Sequence, residues 1–117
     1  MISITVPLAL PSLANARMHW ATKARIVKEQ RRQTSIHLLI RGVKWHAFSS
    51  SGHSFLVTLT RIGSRKLDSD NLQSAFKAPR DAVAACIGLD DGSPRWTWVY
   101  GQERGKPGFR IEIEAMP

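Results

Sequence analysis

The chain has 117 residues, of which 43% are hydrophobic and 22% charged, with 17 Lys and Arg, 9 Asp and Glu and one cysteine. This is the size of one domain with its own core, and the composition excludes wholesale disorder, a disulfide framework and a zinc site built on cysteines. No apolar run approaches the roughly 18 residues of a membrane span, and no signal-peptide pattern opens the chain. We therefore expect a single cytoplasmic domain over residues 1–117 with no membrane partner.

The net charge of +8 is unevenly divided along the chain. Residues 1–66 contain eleven Lys and Arg and one acid, a net charge of +10, whereas residues 67–117 contain six Lys and Arg and eight acids, a net charge of −2. A polyanion such as nucleic acid is the natural partner of the basic half. The acidic half contains an aspartate cluster, Asp68, Asp70, Asp81, Asp90 and Asp91. Basic residues around a carboxylate cluster are typical of a protein that binds phosphates and carries out metal-dependent chemistry on them.

The first half of the chain predicts a strand, a helix and a second strand. Apolar and polar residues alternate over residues 2–6 and again over 55–62, which is typical of half-buried strands. A helix is expected from Thr22, its N-cap, to about Arg41, with Gly42 at its end. Its packing side would hold Ile26, Val27, His37 and Ile40, interrupted by Gln30 and Gln33. Its opposite side would hold the cations Arg25, Lys28, Arg31 and Arg32.

A second helical region is predicted from Asn71 to about Ile87, where Gly88 ends it. Pro79 lies inside this region. A proline in a helix interior costs about 3 kcal/mol because it deletes a hydrogen bond and clashes with the preceding turn. We therefore expect a kink or a break, with Pro79 at the first position of the helix proper.

The remaining residues predict two strands and complete the fold class. Trp96, Trp98 and Tyr100 alternate on one strand face, where the tryptophans are expected to pack a sheet face or a subunit interface. Residues 105–108 are typical of a hairpin-like connection to a last strand. The resulting order, β-α-β-α-β-β, predicts a two-layer α/β (α+β) domain with a small mixed sheet and helices on one face. Cys86, in an apolar run, is expected to be a buried small hydrophobic residue.

The aspartates are the strongest candidates for chemistry. In an extended segment, Asp68 and Asp70 point the same way and can reach one cation together. If the helix returns the chain to the edge from which it began, Asp90 and Asp91 join them, and such oxygen ligands suit Mg²⁺ or Mn²⁺. The alternative is structural: Asp70 or Asn71 caps the helix, and the later pair forms an ordinary turn.

The motifs resemble the RusA-type Holliday-junction resolvases, small metal-dependent endonucleases that are often encoded by phages and prophages. The family's hallmark is Asp-x-Asp-Asn-Leu, a Lys, Asp-Ala-Leu, and then a glycine-containing turn and Asp-Asp. Residues 67–73, 77–83 and 89–91 match this order. Asn15-Ala16-Arg17, after a short strand and a proline-containing loop, is similar to the family's N-terminal Pro-Pro-Ser-x-Asn-x-Arg. The resemblance spans nearly the whole chain.

The resemblance implies a role for each matching residue. The metal-binding catalytic aspartates would be Asp68, Asp70 and Asp91, with Asp90 as the adjacent acid and Mg²⁺, or Mn²⁺ in its place, as the cofactor. Lys77 matches the lysine that steadies the scissile phosphate, although it stands three residues later than usual and Ser74 occupies the early position. Supporting roles fall to Asp81 and Asn71.

The implied activity is hydrolysis of four-way junctions or related branched DNA by a homodimer, in the bacterial cytoplasm or nucleoid. A dimer would place one carboxylate site on each of two opposing strands. The expected DNA contacts are Asn15, Arg17, Lys23, Arg25, Lys28, Arg65 and Lys66. Two alternatives stay open. One is a junction-binding protein of the same fold that has lost cleavage, and the other is a nuclease for another branched or flap substrate.

Overall fold

The computed structural model describes residues 1–12, 18–43 and 52–116. The elements follow one another in the order β1 (Ile2–Val6), α1 (Trp20–Ile40), β2 (Ser54–Gly63), α2 (Ser69–Ala75), α3 (Lys77–Ile87), β3 (Trp96–Arg104) and β4 (Gly108–Met116). The strands form a mixed sheet, and the helices supply Leu38, Leu72, Val83 and Ile87 to the core on one of its faces. The predicted α+β class is confirmed. Nowhere in the described residues is a helix long and apolar enough to cross a membrane.

The strand order in the sheet is β1-β4-β2-β3. β4 lies between β1 and β2 and is antiparallel to both, whereas β2 and β3 are parallel. Alternate residues of each strand point into the core, so that Val57, Leu59, Phe109 and Ile111 are fully buried. This alternation is the pattern from which the strands were predicted.

The prediction of a hairpin between the last two strands is wrong, because β2 lies between β3 and β4. Residues 105–107 instead cross the end of β2, where the backbone N–H of Gly105 donates to the carbonyl of Gly63 at 3.3 Å. Two strand spacings amount to about 9.6 Å, which three residues can span. A Cβ on Gly105 would lie 3.0 Å from the Ile62 side chain, so the glycine permits this close crossing.

α1 begins two residues before the predicted cap. The ring nitrogen Nδ1 of His19 accepts a hydrogen bond from the Ala21 N–H at 3.2 Å, and His19 is the N-cap in place of Thr22. The C-terminal end is as predicted, with Arg41 as the C-cap and Gly42 at a φ of 80°.

The packing side of α1 is also rotated from the prediction. Its buried residues are Gln30, Thr34 and Leu38, spaced by four, whereas Ile40 is 77% exposed. The Thr34 hydroxyl donates to the Gln30 carbonyl at 2.7 Å, so a polar residue occupies the core side without an unpaired hydroxyl hydrogen. The opposite side, with the cations Arg25, Lys28, Arg31 and Arg32, is exposed as predicted.

The second helical region is divided, but not where it was predicted to be. The break is at Phe76, and Pro79 is the third residue of α3, not the first. A proline is tolerated anywhere in a first turn, because those N–H groups have no partner within the helix. In a continuous helix, the N–H of residue 79 would donate to the carbonyl of Ala75. Proline has no N–H, so this hydrogen bond is missing at the residue where α2 ends. Gly88, at a φ of 79°, ends α3 as predicted.

Cys86 lies on α3 and is half-buried rather than buried. Burial raises the pKa of its thiol, an effect that a hydrogen bond with Ser35 partly offsets. A thiol with a raised pKa is a poor nucleophile at neutral pH, which agrees with a packing role.

Candidate functional site

One face of β3 holds the segments that carry the predicted site residues. Trp96 Nε1 donates to the carbonyl of Asp90 at 2.8 Å, and Trp98 Nε1 lies 3.4 Å from the carbonyl of Asp91. The two indoles stack with ring centroids 4.7 Å apart, and Trp96 is buried in the core. The prediction that the tryptophans pack a sheet face is confirmed, and their N–H groups also attach the acidic turn to the sheet.

Arg80 is enclosed by the same strand and the acidic turn. Its guanidinium donates from Nη1 to the Tyr100 hydroxyl at 3.0 Å and from Nη2 to the Asp91 carbonyl at 3.2 Å. The guanidinium carbon lies 4.6 Å from the centre of the Trp98 ring, a cation–π contact. Its Nε is 3.8 Å from Asp91 Oδ2 and has no hydrogen-bond partner among the described residues. Arg80 therefore fixes the backbone of Asp91 and lies beside its carboxylate.

Gln102, next on the same face of β3, holds the segment before Asp68. The Leu67 N–H donates to Gln102 Oε1 at 2.8 Å, and Gln102 Nε2 donates to the Leu67 carbonyl at 2.8 Å. The side-chain amide thus pairs with a backbone residue as a neighbouring strand would. This double hydrogen bond fixes the point from which α2 begins.

Asp68 is the N-cap of α2. Its Oδ1 accepts from the Asn71 N–H at 2.9 Å, and its Oδ2 accepts from the Asn71 side-chain amide at 3.2 Å. The cap is therefore Asp68, not Asp70 or Asn71 as the structural alternative expected, and Asn71 supports Asp68 directly. Asp70 is exposed in the first turn and makes no hydrogen bond or ion pair with the described part of the chain.

The other aspartates lie at the far end of α3 and beside it. Asp90 Oδ2 accepts from the Gly92 N–H at 3.3 Å, which is the ordinary turn that the structural alternative predicted. Asp81 forms an ion pair with Arg31 of α1 at 3.0 Å. Asp81 and Asp91 line a surface depression of about 310 Å³ together with Lys77, Arg80 and Tyr100, and also Gln73 and Ser74.

The structure separates the aspartates into two groups. β2 and β3 are parallel, so the helices between them carry the chain from the carboxyl end of β2 toward the amino end of β3. Trp98, which holds Asp91, and Gln102, which holds the residue before Asp68, are four residues apart on β3, a separation of about 13 Å. Within residues 1–12, 18–43 and 52–116, no three His, Cys, Asp or Glu side chains are grouped closely enough to hold a metal ion.

The chemistry of the donors, carboxylate oxygens, suits Mg²⁺, although the described residues bring no three of them together. Mg²⁺ commonly binds through one or two carboxylates and completes its shell with waters and substrate phosphates. Asp90 and Asp91 are adjacent in the turn after α3. The prediction that Asp68 and Asp70 share an extended segment is wrong, because Asp70 is the second residue of α2 and the alternation that would point both carboxylates the same way ends at Asp68. The Asn71 hydrogen bonds occupy one acceptor position on each oxygen of Asp68, and each oxygen retains a second lone pair.

The predicted DNA-contact residues lie on two parts of the surface. Arg25 and Lys28 are exposed on α1, where Lys23 is half-buried, while Arg65 and Lys66 are exposed at the end of β2. Lys77 is exposed at the first position of α3. Asn15 and Arg17 lie outside the described residues.

Sequence reasoning missed Arg80, Tyr100 and Gln102. The alternation of Trp96, Trp98, Tyr100 and Gln102 was a signal for one shared strand face. What the alternation could not reveal is which segment each side chain would meet.

Comparison with known proteins finds a relative of undetermined function. Over 95 residues the chain is 33% identical to an uncharacterized protein of Xylella fastidiosa strain Temecula1, an overlap of 78% of this chain and 61% of that protein. The chain thus spans about three fifths of the length of the curated relative it matches. No family model and no solved structure matches the chain.

Proposed function

We propose that this chain is a metal-dependent endodeoxyribonuclease that cleaves four-way junctions or related branched DNA, as the resemblance to RusA-type resolvases implies. The observation that carries the proposal is the depression in which Lys77 and Arg80 lie beside the carboxylates of Asp81 and Asp91. Cations and carboxylates around one exposed depression suit phosphodiester hydrolysis, because the reaction places negative charge on the phosphate and needs an activated water.

Each group of aspartates has a distinct place in this proposal. Asp68 with Asp70, and Asp91 with Asp90, would hold Mg²⁺, which when bound polarises the phosphate and lowers the pKa of a bound water. Lys77 would neutralise a phosphate oxygen from the first turn of α3. Arg80 does not need to touch DNA, since its hydrogen bonds keep Asp91 at the edge of the depression.

In this proposal the exposed cations bind the phosphates of the substrate, and the two-fold symmetry of a homodimer matches that of a junction. Phosphate contacts from Arg25, Lys28, Arg65 and Lys66 would give salt-sensitive binding that carries no sequence information. A homodimer would place two copies of the site on opposing strands of a junction, whose own symmetry is close to two-fold.

A second candidate is a junction-binding protein that does not cleave. It is favoured by the cap made by Asp68 and the turn made by Asp90, since both carboxylates already have structural partners. The separation of the aspartates into two groups favours it as well.

The test is a cleavage assay on a labelled four-way junction and on a linear duplex of the same sequence, with and without Mg²⁺. The wild-type chain should cut the junction only with Mg²⁺, and Asp70→Asn should slow cutting by about 100-fold or more. Asp70 makes no hydrogen bond or ion pair with the described residues, so this change should leave folding intact. Glu114→Gln, which removes an exposed carboxylate from the far end of β4, is the matched control and should cut normally.

The possible results separate the candidates. A shifted junction without cut products would support the non-cleaving binding protein. Mg²⁺-dependent cutting that survives Asp70→Asn would show that the assignment of a metal to Asp68 and Asp70 is wrong. If a labelled flap, run in the same assay, is cut and the junction is not, the protein is a nuclease for a different branched substrate.

A further inference from the structure

A basic pocket opens where β2 and β3 end side by side. Gly63 and Arg104, the last residues of β2 and β3, are partners in the parallel register, so the carboxyl ends of the two strands lie side by side. From there one connection leads to the helix layer and the other crosses the end of β2. Their divergence leaves a pocket of about 270 Å³ lined by Ser64, Arg65, Lys66, Glu103 and Arg104 among others. Crevices at the carboxyl ends of parallel strands are common ligand sites.

The positive charge of this pocket is not neutralised within the described structure. Arg65, Lys66 and Arg104 are exposed, and none of their side chains forms an ion pair or hydrogen bond with the described residues. The acid in the lining, Glu103, is engaged elsewhere: Arg110 Nη1 donates to its Oε2 at 3.2 Å, and Arg110 holds the pKa of Glu103 below its usual value. Three cations therefore face solvent beside a carboxylate that already has its own counter-ion.

The backbone that carries these cations is held in place before any ligand arrives. Arg61 Nε donates to the Leu10 carbonyl at 2.8 Å, and Arg61 Nη1 donates to the Arg65 carbonyl at 2.6 Å. On the other side, Leu67 is held by the Gln102 amide. Binding would therefore order side chains but not the loop, which lowers the entropy cost of association.

We propose that this pocket binds a backbone phosphate of the DNA and so fixes the strand relative to Asp68 and Asp70. The inference rests on the proposed function for the identity of the polyanion. Lys66 and Asp68 are two residues apart, so their Cα atoms are at most about 7 Å apart. A phosphate in the pocket thus belongs to the strand segment next to Asp68. Arg104 is the cation that β3 contributes to the lining of the pocket.

The test measures binding without cleavage. Fluorescence anisotropy with a labelled four-way junction and a linear duplex, in EDTA, gives the affinity of the full chain at several NaCl concentrations. Arg104→Gln should weaken binding to both DNAs by about ten-fold and reduce the slope of log affinity against log salt by about 0.9. Changing Arg65, Lys66 and Arg104 together to Gln should reduce the slope by about 2 to 3. Arg104→Lys, which keeps the charge, should retain the wild-type slope.

Arg41→Gln is the matched control, because Arg41 is an exposed cation at the end of α1 and lies outside the pocket. The proposal is overturned if the triple variant binds with wild-type affinity and slope, if Arg41→Gln loses as much as Arg104→Gln, or if the wild-type chain does not bind DNA. Circular dichroism checks that each variant is folded. If the triple variant is unfolded, the affinity and salt slope of Arg104→Gln alone test the proposal. Pocket-dependent binding without cleavage in Mg²⁺ would overturn the nuclease assignment and leave the pocket intact.

Discussion

Asp68 combines a structural and a proposed chemical role, and two substitutions separate them. Asn is as good an N-cap as Asp, so Asp68→Asn should change the free energy of unfolding by less than about 0.5 kcal/mol, whereas Asp68→Ala should lower it by about 1 kcal/mol. Both should abolish Mg²⁺-dependent cleavage. Urea denaturation and the junction assay measure the two effects. If Asp68→Asn cuts at the wild-type rate, Asp68 is a cap and not a metal ligand.

Arg80 should contribute to stability through its hydrogen bonds to the acidic turn and to β3. Arg80→Met keeps the aliphatic stem but removes the donors to Asp91 and Tyr100, and we expect the free energy of unfolding to fall by about 1 to 3 kcal/mol. Tyr100→Phe removes a single hydroxyl and should lower it by about 1 kcal/mol or less. Urea denaturation measures both variants. Equal losses would mean that the contact with Asp91 contributes nothing.

The ion pair between Glu103 and Arg110 predicts a pH dependence with a definite sign. The hydrogen bond from Arg110 lowers the pKa of Glu103 below the ordinary 4.5, so the folded state binds this proton less readily than the unfolded state does. The stabilisation is present above pH 4.5 and is lost as the pH falls through the folded pKa. Glu103→Gln should therefore be less stable than wild type at pH 7, and the difference should be smaller at pH 3. A difference that is the same at both pH values would exclude the ion pair as its cause.

At the scale of elements, local signals predicted which segments form helices and strands. Alternation located β1 and β2 to within a residue at each end, and Gly88 located the end of α3, because these signals depend on neighbours in the sequence. The prediction of a hairpin was wrong because Gly105 and Pro107 favour a turn but do not determine whether the two strands they connect pair with each other. Partner choice in a sheet is non-local, and only the structure shows that β2 separates β3 from β4.

The candidate site was predictable by residue type but not by arrangement. The aspartates could be recognised from their spacing, whereas their separation depends on β2 and β3 being parallel, which spacing does not encode. Arg80 and Gln102 could not be identified because their partners, Asp91 and Leu67, lie 11 and 35 residues away in the sequence.

Gln102 ties β3 to the segment before α2, and its removal should loosen that connection. Gln102→Leu deletes both hydrogen bonds to Leu67, so we expect the free energy of unfolding to fall by about 1 to 2 kcal/mol and amide exchange at Leu67 to accelerate. Thr97→Leu, on the opposite and exposed face of β3, is the control and should change stability by less than about 0.5 kcal/mol. Unchanged exchange at Leu67 in Gln102→Leu would show that the amide pair does not hold the segment.

At the scale of the whole molecule, the basic first half is not one uniform DNA-facing surface. Arg31 and Arg32 are paired with Asp81 and Glu29, and Arg61 is bonded to loop carbonyls. In the part of this half that the structure describes, the cations without such partners lie on α1 and at the end of β2. Charge counts along the sequence therefore overstate the number of phosphate contacts that one DNA molecule could make.

The proposed homodimer predicts a particle of about 26 kDa, twice the 13.1 kDa of the chain. Analytical ultracentrifugation at micromolar concentration measures this mass directly. The two opposing strands of a junction should then be cut at equal rates. A 13.1 kDa species at every concentration, together with junction cleavage, would show that each chain acts alone.

The position of β4 between β1 and β2 also governs how this protein can be made. Ile4 of β1 pairs with Ile111 of β4, so the partner strand of β1 is translated more than a hundred residues later. At about 5 to 20 residues per second, the ribosome leaves β1 unpaired for several seconds or more. Pairings of such long sequence separation also close slowly once synthesis ends. Until β4 emerges from the ribosome, the edge of β1 therefore has no partner strand and is open to chaperones and to aggregation.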